Sequence, residues 1–258
     1  MKYFHRRIAC LLAWPRPAAG MGASSQPIQL SPQLTLDLHR PENFVKLLFV
    51  HGWGFDASIW NLLAPMLSDC ERIYHERGYF LAPGEPFPTE RCIAVTHSFG
   101  AMRVLADPPT RCAGLIAING FDRFTACDGQ VGVDKRVVNR MLDRLVTDPA
   151  TLLVDFYHRC GAHFAQDEIC FERLHHDLTT LRDEDRTNDS KRWNRPILSL
   201  QGSEDPILPV DLRTAAFATA RDLKRETRTG GGHLLPITDP SWCANAIHDF
   251  VARLERDN

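Results

Sequence analysis

Ser98 lies in a local sequence that favours nucleophilic chemistry. The segment Val95-Thr96-His97-Ser98-Phe99-Gly100-Ala101 follows an apolar run and opens a predicted helix. A serine on a sharp strand-to-helix turn exposes its hydroxyl, and the N–H of the next residue is free to stabilise an oxyanion. The usual pattern is Gly-x-Ser-x-Gly, and Thr96 replaces its first glycine, where side chains crowd the turn. The alternative interpretation is a serine that only caps the following helix.

A candidate acid and a candidate base follow Ser98 in the chain. A serine hydroxyl is a weak nucleophile until an imidazole accepts its proton, and a carboxylate must fix the tautomer of that imidazole. Asp205 follows an apolar segment, and His233 follows three glycines. The chain order therefore predicts Asp205 as the orienting acid and His233 as the base. Asp122 is the competing acid, and His97 is expected to be a packed neighbour because adjacent side chains on a tight turn diverge.

A glycine-rich segment adds to this pattern. His51-Gly52-Trp53-Gly54 directly follows the apolar run at residues 45–50. Hydrolases that use a serine on a strand-to-helix turn place the loop with their second oxyanion donor at this position. The alternative interpretation is an ordinary glycine-rich turn after a strand.

The elements that position these residues are predicted from the apolar pattern. Residues 34–38 alternate like a half-exposed strand, and nearly continuous apolar runs predict buried strands at 45–50, 92–96, 114–118 and 196–200. Helical stretches lie between several of them, at 100–106 and 209–220 for example. Strands that alternate with helices predict the α/β class, with a mostly parallel sheet and helices on both faces.

The pattern divides the chain into a core, an insertion and an N-terminal extension. Residues 28–120 and 196–258 are predicted to form the core, and residues 121–195 a helical insertion, because stretches of helical period such as 133–146 and 151–160 dominate there. Residues 1–27 are predicted to be an N-terminal extension that is disordered or mis-started, and a true start at Met21 would make the first twenty residues a translation artefact. A secretory signal is the alternative, since basic residues precede the apolar stretch 8–14.

Composition and charge exclude several classes of protein. An apolar fraction of 44% with 24% charged residues is that of an ordinary soluble globular protein. The formal net charge of -2 gives no global field for nucleic acid or an anionic membrane. Eight cysteines without a Cys-x-x-Cys pair predict reduced, mostly buried thiols rather than a zinc ribbon or a disulfide scaffold. We expect a soluble cytoplasmic protein without a membrane partner or a cofactor.

The motifs together resemble a known family. The residues His51-Gly52-Trp53-Gly54-Phe55-Asp56-Ala57-Ser58-Ile59-Trp60, the serine turn, Gly202-Ser203-Glu204-Asp205-Pro206-Ile207 and Gly232-His233 resemble α/β-hydrolase carboxylesterases. Within these, the chain is most similar to the pimeloyl-[acyl-carrier protein] methyl ester esterases of biotin synthesis. The resemblance extends from about residue 34 to residue 254 and is weakest in the insertion. It implies the α/β-hydrolase fold.

The resemblance also implies roles for individual residues. Ser98 is implied as the nucleophile, with Asp205 and His233 as its partners. The backbone N–H groups of Trp53 and Phe99 are implied as the oxyanion hole, and Trp53 is also expected to contact substrate. No metal or organic cofactor is required for this chemistry.

The insertion corresponds to a helical lid over the active site in such enzymes. One helix face there is apolar, formed by Val133, Val137, Val138, Met141, Leu142 and Leu145. Beside it, Arg136, Arg140 and Arg144 recur every four residues as a basic stripe. The resemblance favours a docking strip for an acidic acyl-carrier protein, and the alternative is a solvated helix face. Leu152 and Phe156 are candidates to line an acyl channel or to form the lid core.

The resemblance implies hydrolysis of a pimeloyl methyl ester carried on acyl-carrier protein, with methanol as the leaving group. A general short-chain carboxylesterase acting on small-molecule esters, or a C–C bond hydrolase, is the main rival, because one fold and one triad serve several leaving groups. A rival from another class is a ligand-binding protein of the same fold in which the triad remains but turnover is lost.

Overall fold

The structure is a computed structural model that describes residues 46–127, 129–166 and 168–256. The predicted extension at 1–27, the predicted strand at 34–38 and Val45 lie outside these residues. The strands are β1 (Lys46–Val50), β2 (Glu71–His75), β3 (Cys92–His97), β4 (Cys112–Ile118), β5 (Ile197–Gly202) and β6 (Leu223–Arg228). Within the described residues they form one six-stranded sheet in the order β2-β1-β3-β4-β5-β6, and every neighbouring pair is parallel.

The sheet separates two apolar cores, because side chains alternate between the faces of a strand. In β1, Leu48 and Val50 pack into one core, whereas Leu47 and Phe49 pack into the other. Helices α1 (Gly100–Ala106) and α6 (Val210–Ala215) contribute to the first core, and α7 (Leu235–Thr238) and α8 (Pro240–Arg256) to the second. Two 3-10 helices, Ala57–Trp60 and Ala64–Leu67, also belong to the second core. The predicted α/β class is confirmed.

The sequence predicted the inner strands but not the two edge strands. The four buried runs correspond to β1, β3, β4 and β5 with bounds that differ by one or two residues. The edge strands β2 and β6 read ERIYH and LKRETR, and they are only partly buried, so neither forms an apolar run. The helix predicted at 209–220 ends at Ala215, because Ala216 has a ψ of 128°, outside the helical range, and Phe217 follows with a positive φ of 56°.

The segment between β4 and β5 is helical in its described part. It holds α2 (Lys135–Thr147), α3 (Pro149–Cys160), α4 (Phe171–Asp183) and α5 (Thr187–Arg192), with isolated β-bridges only. Asp134 caps α2 by accepting the Arg136 N–H at 2.8 Å, and Asp148 caps α3 through the Thr151 N–H at 3.1 Å. None of the helices in the described ranges is long and apolar enough to cross a bilayer.

A buried carboxylate attaches this helical segment between β4 and β5, which we name the lid, to the core. Asp177 of α4 is 2% exposed and accepts two hydrogen bonds from the Arg77 guanidinium, at 2.6 and 2.7 Å. The Tyr79 hydroxyl donates a third at 2.6 Å. Because Arg77 and Tyr79 follow β2, these bonds hold α4 against the carboxyl end of the sheet. The Trp53 indole N–H adds a bond of 2.9 Å to the Leu174 carbonyl of the same helix.

Asp177→Ala is expected to destabilise the fold by about 3 kcal/mol, because it breaks a buried ion pair. This value is at the low end for such a change, since the Arg77 guanidinium left without a partner still reaches solvent. Thermal unfolding should show this as a fall in Tm of roughly 2–4 °C for each kcal/mol. Asp155→Ala is the matched control, since it breaks the exposed Arg144–Asp155 pair of the same lid and should cost less than about 1 kcal/mol. Equal effects of the two changes would contradict an anchoring role of Asp177.

Candidate active site

Ser98 occupies a sharp turn between β3 and α1. Its φ of 51° is uncommon for a residue other than glycine and is typical of a strained functional turn. The Ser98 N–H donates to the Ile118 carbonyl at 3.0 Å, which ties the turn to the end of β4. Glycine is required beside it, because a Cβ on Gly100 would lie 2.4 Å from the Val50 carbonyl oxygen. The turn therefore packs directly against the end of β1.

The turn that carries Ser98 accommodates Thr96 in place of the usual glycine. Thr96 is fully buried at the end of β3, opposite Ala117 of β4. Its hydroxyl donates to the Ile116 carbonyl at 3.0 Å, so burial leaves its polar hydrogen satisfied. The threonine side chain is accepted at this position because its hydroxyl bonds to the neighbouring strand.

Asp205 and His233 meet beyond the ends of β5 and β6. The distance from His233 Nδ1 to Asp205 Oδ2 is 2.7 Å, and both side chains are fully buried. The other carboxylate oxygen, Oδ1, accepts the N–H groups of Ile207 at 2.7 Å and Leu208 at 3.1 Å. Burial acts to raise the pKa of Asp205, but His233 and these two N–H groups outweigh it, so the pKa lies below its ordinary value. Asp205 is therefore a carboxylate at neutral pH.

This contact sets the chemistry of His233. Because Nδ1–H donates to an ionised carboxylate, Nε2 is the ring atom that is able to accept a proton. His233 Nε2 is buried and has no hydrogen-bond partner among the described residues, so the Ser98–His233 bond of the predicted triad is not formed here. Such bonds are often long in unliganded enzymes and shorten when substrate binds.

His97, the neighbour of Ser98, and Asp122, the competing acid, have hydrogen-bond partners other than the His233 imidazole. His97 Nε2 lies 3.0 Å from the His233 carbonyl and donates to it, and burial, followed by the neighbouring His233, lowers the His97 pKa to about 3. His97 is therefore neutral and already hydrogen-bonded. Asp122 Oδ1 accepts the Phe217 N–H at 3.1 Å, and burial raises the Asp122 pKa. The carboxylate at the imidazole is Asp205.

Two backbone N–H groups near Ser98 are unused. Neither the Trp53 nor the Phe99 N–H donates a hydrogen bond within the part of the chain that the structure describes. Trp53 lies in a turn closed by a bond of 3.4 Å from the Phe55 N–H to the Gly52 carbonyl, and Gly54 has a positive φ of 69° there. A Cβ on Gly52 would lie 2.9 Å from Ser98 Cβ. The two free donors thus belong to turns that touch each other.

Glu76 supports the Trp53 turn, and the sequence pattern did not identify it. Its carboxylate accepts the N–H groups of Ala57 at 3.0 Å and Gly78 at 2.9 Å, and it lies 3.2 Å from His51 Nε2. Burial acts to raise the Glu76 pKa, but His51 and these N–H groups outweigh it and lower the pKa. The available signal was an acidic residue directly after a strand, but that strand, β2, was itself not predicted.

A cavity of about 390 Å³ opens beside Ser98 under the lid. Trp53 and Phe156 line it, and most of its remaining wall is apolar. Leu152, which the sequence assigned either to an acyl channel or to the core of the insertion, does not line this cavity; it is 3% exposed and packs in the first apolar core. Within the described ranges, no group of three or more His, Cys, Asp or Glu side chains is arranged to hold a metal ion.

The three arginines of the predicted basic stripe have different surroundings in the structure, and their role as a docking strip stays a prediction. Arg136 bonds to Asp134, with Nε 2.9 Å from Oδ2, and Arg144 pairs with Asp155 at 2.6 Å. Arg140 instead lines the cavity.

Arg159 joins Arg140 at the cavity, although it was not predicted as a site residue. Arg159 lies three residues after Phe156 on α3, so both side chains lie on one side of that helix. Its guanidinium donates to the Pro206 carbonyl at 3.1 and 3.2 Å. Helical spacing from Phe156 was the signal that could have identified it.

Sequence comparison finds distant relatives among biotin-synthesis proteins. The biotin biosynthesis bifunctional protein BioHC of Cellvibrio japonicus is 24% identical over 243 residues, which cover 81% of this chain and 48% of that protein. The chain thus spans about half the length of this relative. The pimeloyl-[acyl-carrier protein] methyl ester esterase of Methylococcus capsulatus is 22% identical over 240 residues, covering 80% of this chain and 94% of that protein. No model of a known protein family matches the chain.

Structural comparison identifies the fold. A bromoperoxidase from Bacillus anthracis matches with a TM-score of 0.70 at 14% identity, over 81% of this chain and 92% of its own. An esterase from Exiguobacterium antarcticum matches with a TM-score of 0.68 at 16% identity, over the same shares of the two chains. Together with the parallel sheet, these similarities show the α/β-hydrolase fold.

Asp205→Asn is expected to lower kcat for a chromogenic short-chain ester by roughly 10⁴-fold, as the equivalent change does in a serine protease, because the amide favours the wrong imidazole tautomer. Asp122→Asn is the matched control, because it alters a buried carboxyl that bonds to Phe217 instead of His233. The assignment would be reversed by a crippled Asp122→Asn variant together with a nearly active Asp205→Asn variant.

Proposed function

We propose that this esterase of the α/β-hydrolase fold cleaves the methyl ester of a pimeloyl-type acyl chain carried on acyl-carrier protein, with Ser98 as the nucleophile. The observation that carries the catalytic part is the 2.7 Å contact between His233 Nδ1 and Asp205, which leaves Nε2 as the proton acceptor. The substrate class is supported by the similarity to two biotin-synthesis relatives and by the lid cavity beside Ser98.

The first half of the reaction acylates Ser98. Its Oγ attacks the ester carbonyl while His233 Nε2 takes the hydroxyl proton, and Asp205 stabilises the imidazolium that forms. The Trp53 and Phe99 N–H groups, which have no other acceptor among the described backbone groups, donate to the oxyanion of the tetrahedral intermediate. His233 then gives its proton to the departing methoxide, so methanol leaves and the acyl chain stays on Ser98.

The second half restores the enzyme. His233 takes a proton from water, the resulting hydroxide attacks the acyl-enzyme carbonyl, and the same two N–H groups hold the second oxyanion. The C–O bond to Ser98 breaks, and its oxygen recovers the proton from His233. The product is a free carboxylate on the same acyl chain.

The cavity suits an acyl substrate. A volume of about 390 Å³ lies in the range of small-molecule sites. Phe124, Val137, Met141 and Ile207 contribute to its largely apolar wall, which matches the methylene groups of an acyl chain. In this proposal the acyl chain of the substrate extends from Ser98 along the apolar wall of the cavity.

The two arginines of the cavity are the candidate contacts for the carrier. Arg140 has no ion pair within the described residues, whereas Arg136 and Arg144 each bind an aspartate. A guanidinium at the wall of an apolar cavity binds phosphate or carboxylate groups in a two-pronged geometry. Arg140 and Arg159 therefore contact the anionic carrier while the acyl chain enters the cavity.

Ser98→Ala is expected to lower ester hydrolysis on the order of 10⁶-fold, as for a well-studied triad serine, while the protein stays folded. A fluorophosphonate probe should label the wild type at Ser98 and leave the variant unlabelled, as peptide mapping will show. Wild-type labelling without ester turnover would instead support the ligand-binding rival.

Arg140→Glu is expected to lower kcat/KM for the carrier-bound methyl ester roughly tenfold or more, since a hydrogen bond to a charged group contributes about 1.5–3 kcal/mol. The matched control is Arg136→Glu on the same helix, which removes an exposed arginine that Asp134 already neutralises. Arg136→Glu should not affect a small free ester, and Arg140→Glu should lower its hydrolysis much less than that of the carrier-bound ester. Equal rates on the carrier-bound ester for both variants and the wild type would favour a general carboxylesterase.

A further inference from the structure

Asn119 is a fully buried residue directly after β4, and all of its side-chain polar groups bind backbone atoms of other loops. Its Oδ1 accepts the Gly202 N–H at 2.8 Å. Its Nδ2 donates to the Gly232 and His233 carbonyls, each at 2.9 Å. One side chain thus bridges the end of β5, from which Asp205 follows, and the loop that carries His233.

The asparagine is suited to this place in two ways. Its φ is 47°, in the left-handed region that asparagine tolerates better than most residues. Its amide also offers one acceptor and two donors on a rigid fork, which match one N–H and two carbonyl groups. Neither an apolar residue nor a carboxylate reproduces this set.

The two loops that Asn119 bridges also touch each other. The Glu204 N–H donates to the Gly231 carbonyl at 2.9 Å, and a Cβ on Gly202 would lie 2.3 Å from the same carbonyl oxygen. The backbone before Asp205 therefore packs against the backbone before His233 without space for a side chain. A shift of one loop changes the contact between the two catalytic side chains.

His97 also hydrogen-bonds to the backbone of His233. The His233 carbonyl accepts both the Asn119 amide and the His97 Nε2–H, the latter at 3.0 Å. His97 precedes Ser98 on the serine turn, so this bond relates the backbone of the base to the nucleophile.

We propose that Asn119 is a positioning residue that fixes the backbone of His233 relative to Asp205 and Ser98. The inference deepens the proposed esterase function and rests on it. The Asn119 side chain hydrogen-bonds only to backbone groups, is fully buried and does not line the cavity, so it acts on the geometry of the reacting side chains without touching substrate. A displacement of about 1 Å in a catalytic group costs on the order of 10²-fold in rate.

Asn119→Asp is the most informative change. It preserves shape and the acceptor for Gly202, but it places a second oxygen against two carbonyl oxygens. The charged or titratable groups nearby are His97, the His233–Asp205 pair and Arg213, which donates to the Gly202 carbonyl. Burial among carbonyl oxygens disfavours the carboxylate, and protonation restores a donor to one of the two carbonyls. The activity of the variant relative to wild type should therefore rise as pH falls.

The test measures kcat, KM and the rate of fluorophosphonate labelling at Ser98 for wild type, Asn119→Asp and Asn119→Ala across mildly acidic to mildly alkaline pH. We expect kcat and the labelling rate to fall on the order of 10²-fold at alkaline pH with KM unchanged. Partial recovery at acidic pH is expected in Asn119→Asp and not in Asn119→Ala.

The matched control is Ser199→Ala, which removes a buried hydroxyl of β5 that accepts only the Gln201 amide. It should lower stability without changing kcat or labelling. The inference is overturned if folded Asn119 variants label at the wild-type rate, or if the Asn119→Asp to wild-type ratio is independent of pH. A wild type that labels at Ser98 but hydrolyses no ester would overturn the proposed function alone, because labelling tests positioning without a substrate.

Discussion

The buried hydrogen bond between Asp205 and His233 is the interaction on which the rest of the site depends. The bond joins two loops that follow neighbouring parallel strands. His233 Nδ1 lies 2.7 Å from Asp205 Oδ2, and neither side chain is accessible to solvent. An ionised carboxylate in such a place is stable only when it is fully hydrogen-bonded. The Ile207 and Leu208 N–H groups supply the remaining hydrogen bonds to Asp205. The imidazole of His233 then keeps Nε2 without a partner among the described residues, so this nitrogen is available to accept a proton.

The parallel sheet makes this contact possible because the carboxyl ends of its strands lie at one edge. Close backbone approaches at that edge account for glycines at several places. Gly100 allows the Ser98 turn to pack against β1, and Gly202 allows the loop before Asp205 to pack against the loop before His233. The strained turn at Ser98 is therefore held by its surroundings. The lid lines much of the cavity beside Ser98 and is joined to the core through Asp177.

Features that depend on a local sequence pattern could be predicted from the sequence, whereas features that depend on contacts between distant residues could not. Inner strands are covered on both faces and read as apolar runs, whereas the edges β2 and β6 are half-exposed and mixed in composition. Ser98, Asp205 and His233 stand out through motifs and chain order. Asn119 does not, because its three partners lie 83, 113 and 114 residues away in the chain. Helical spacing grouped Arg136 with Arg144, but it gave no sign of the aspartates that bind them.

The most direct test of the account is to capture the acyl-enzyme during turnover of a pimeloyl methyl ester on acyl-carrier protein. Rapid acid quenching followed by mass spectrometry should find the carrier-linked acyl chain attached to Ser98, with methanol released before the free carboxylate appears. His233→Ala should abolish this adduct. Hydrolysis that proceeds with no covalent intermediate, or an adduct on another residue, would contradict the assignment of Ser98 as the nucleophile.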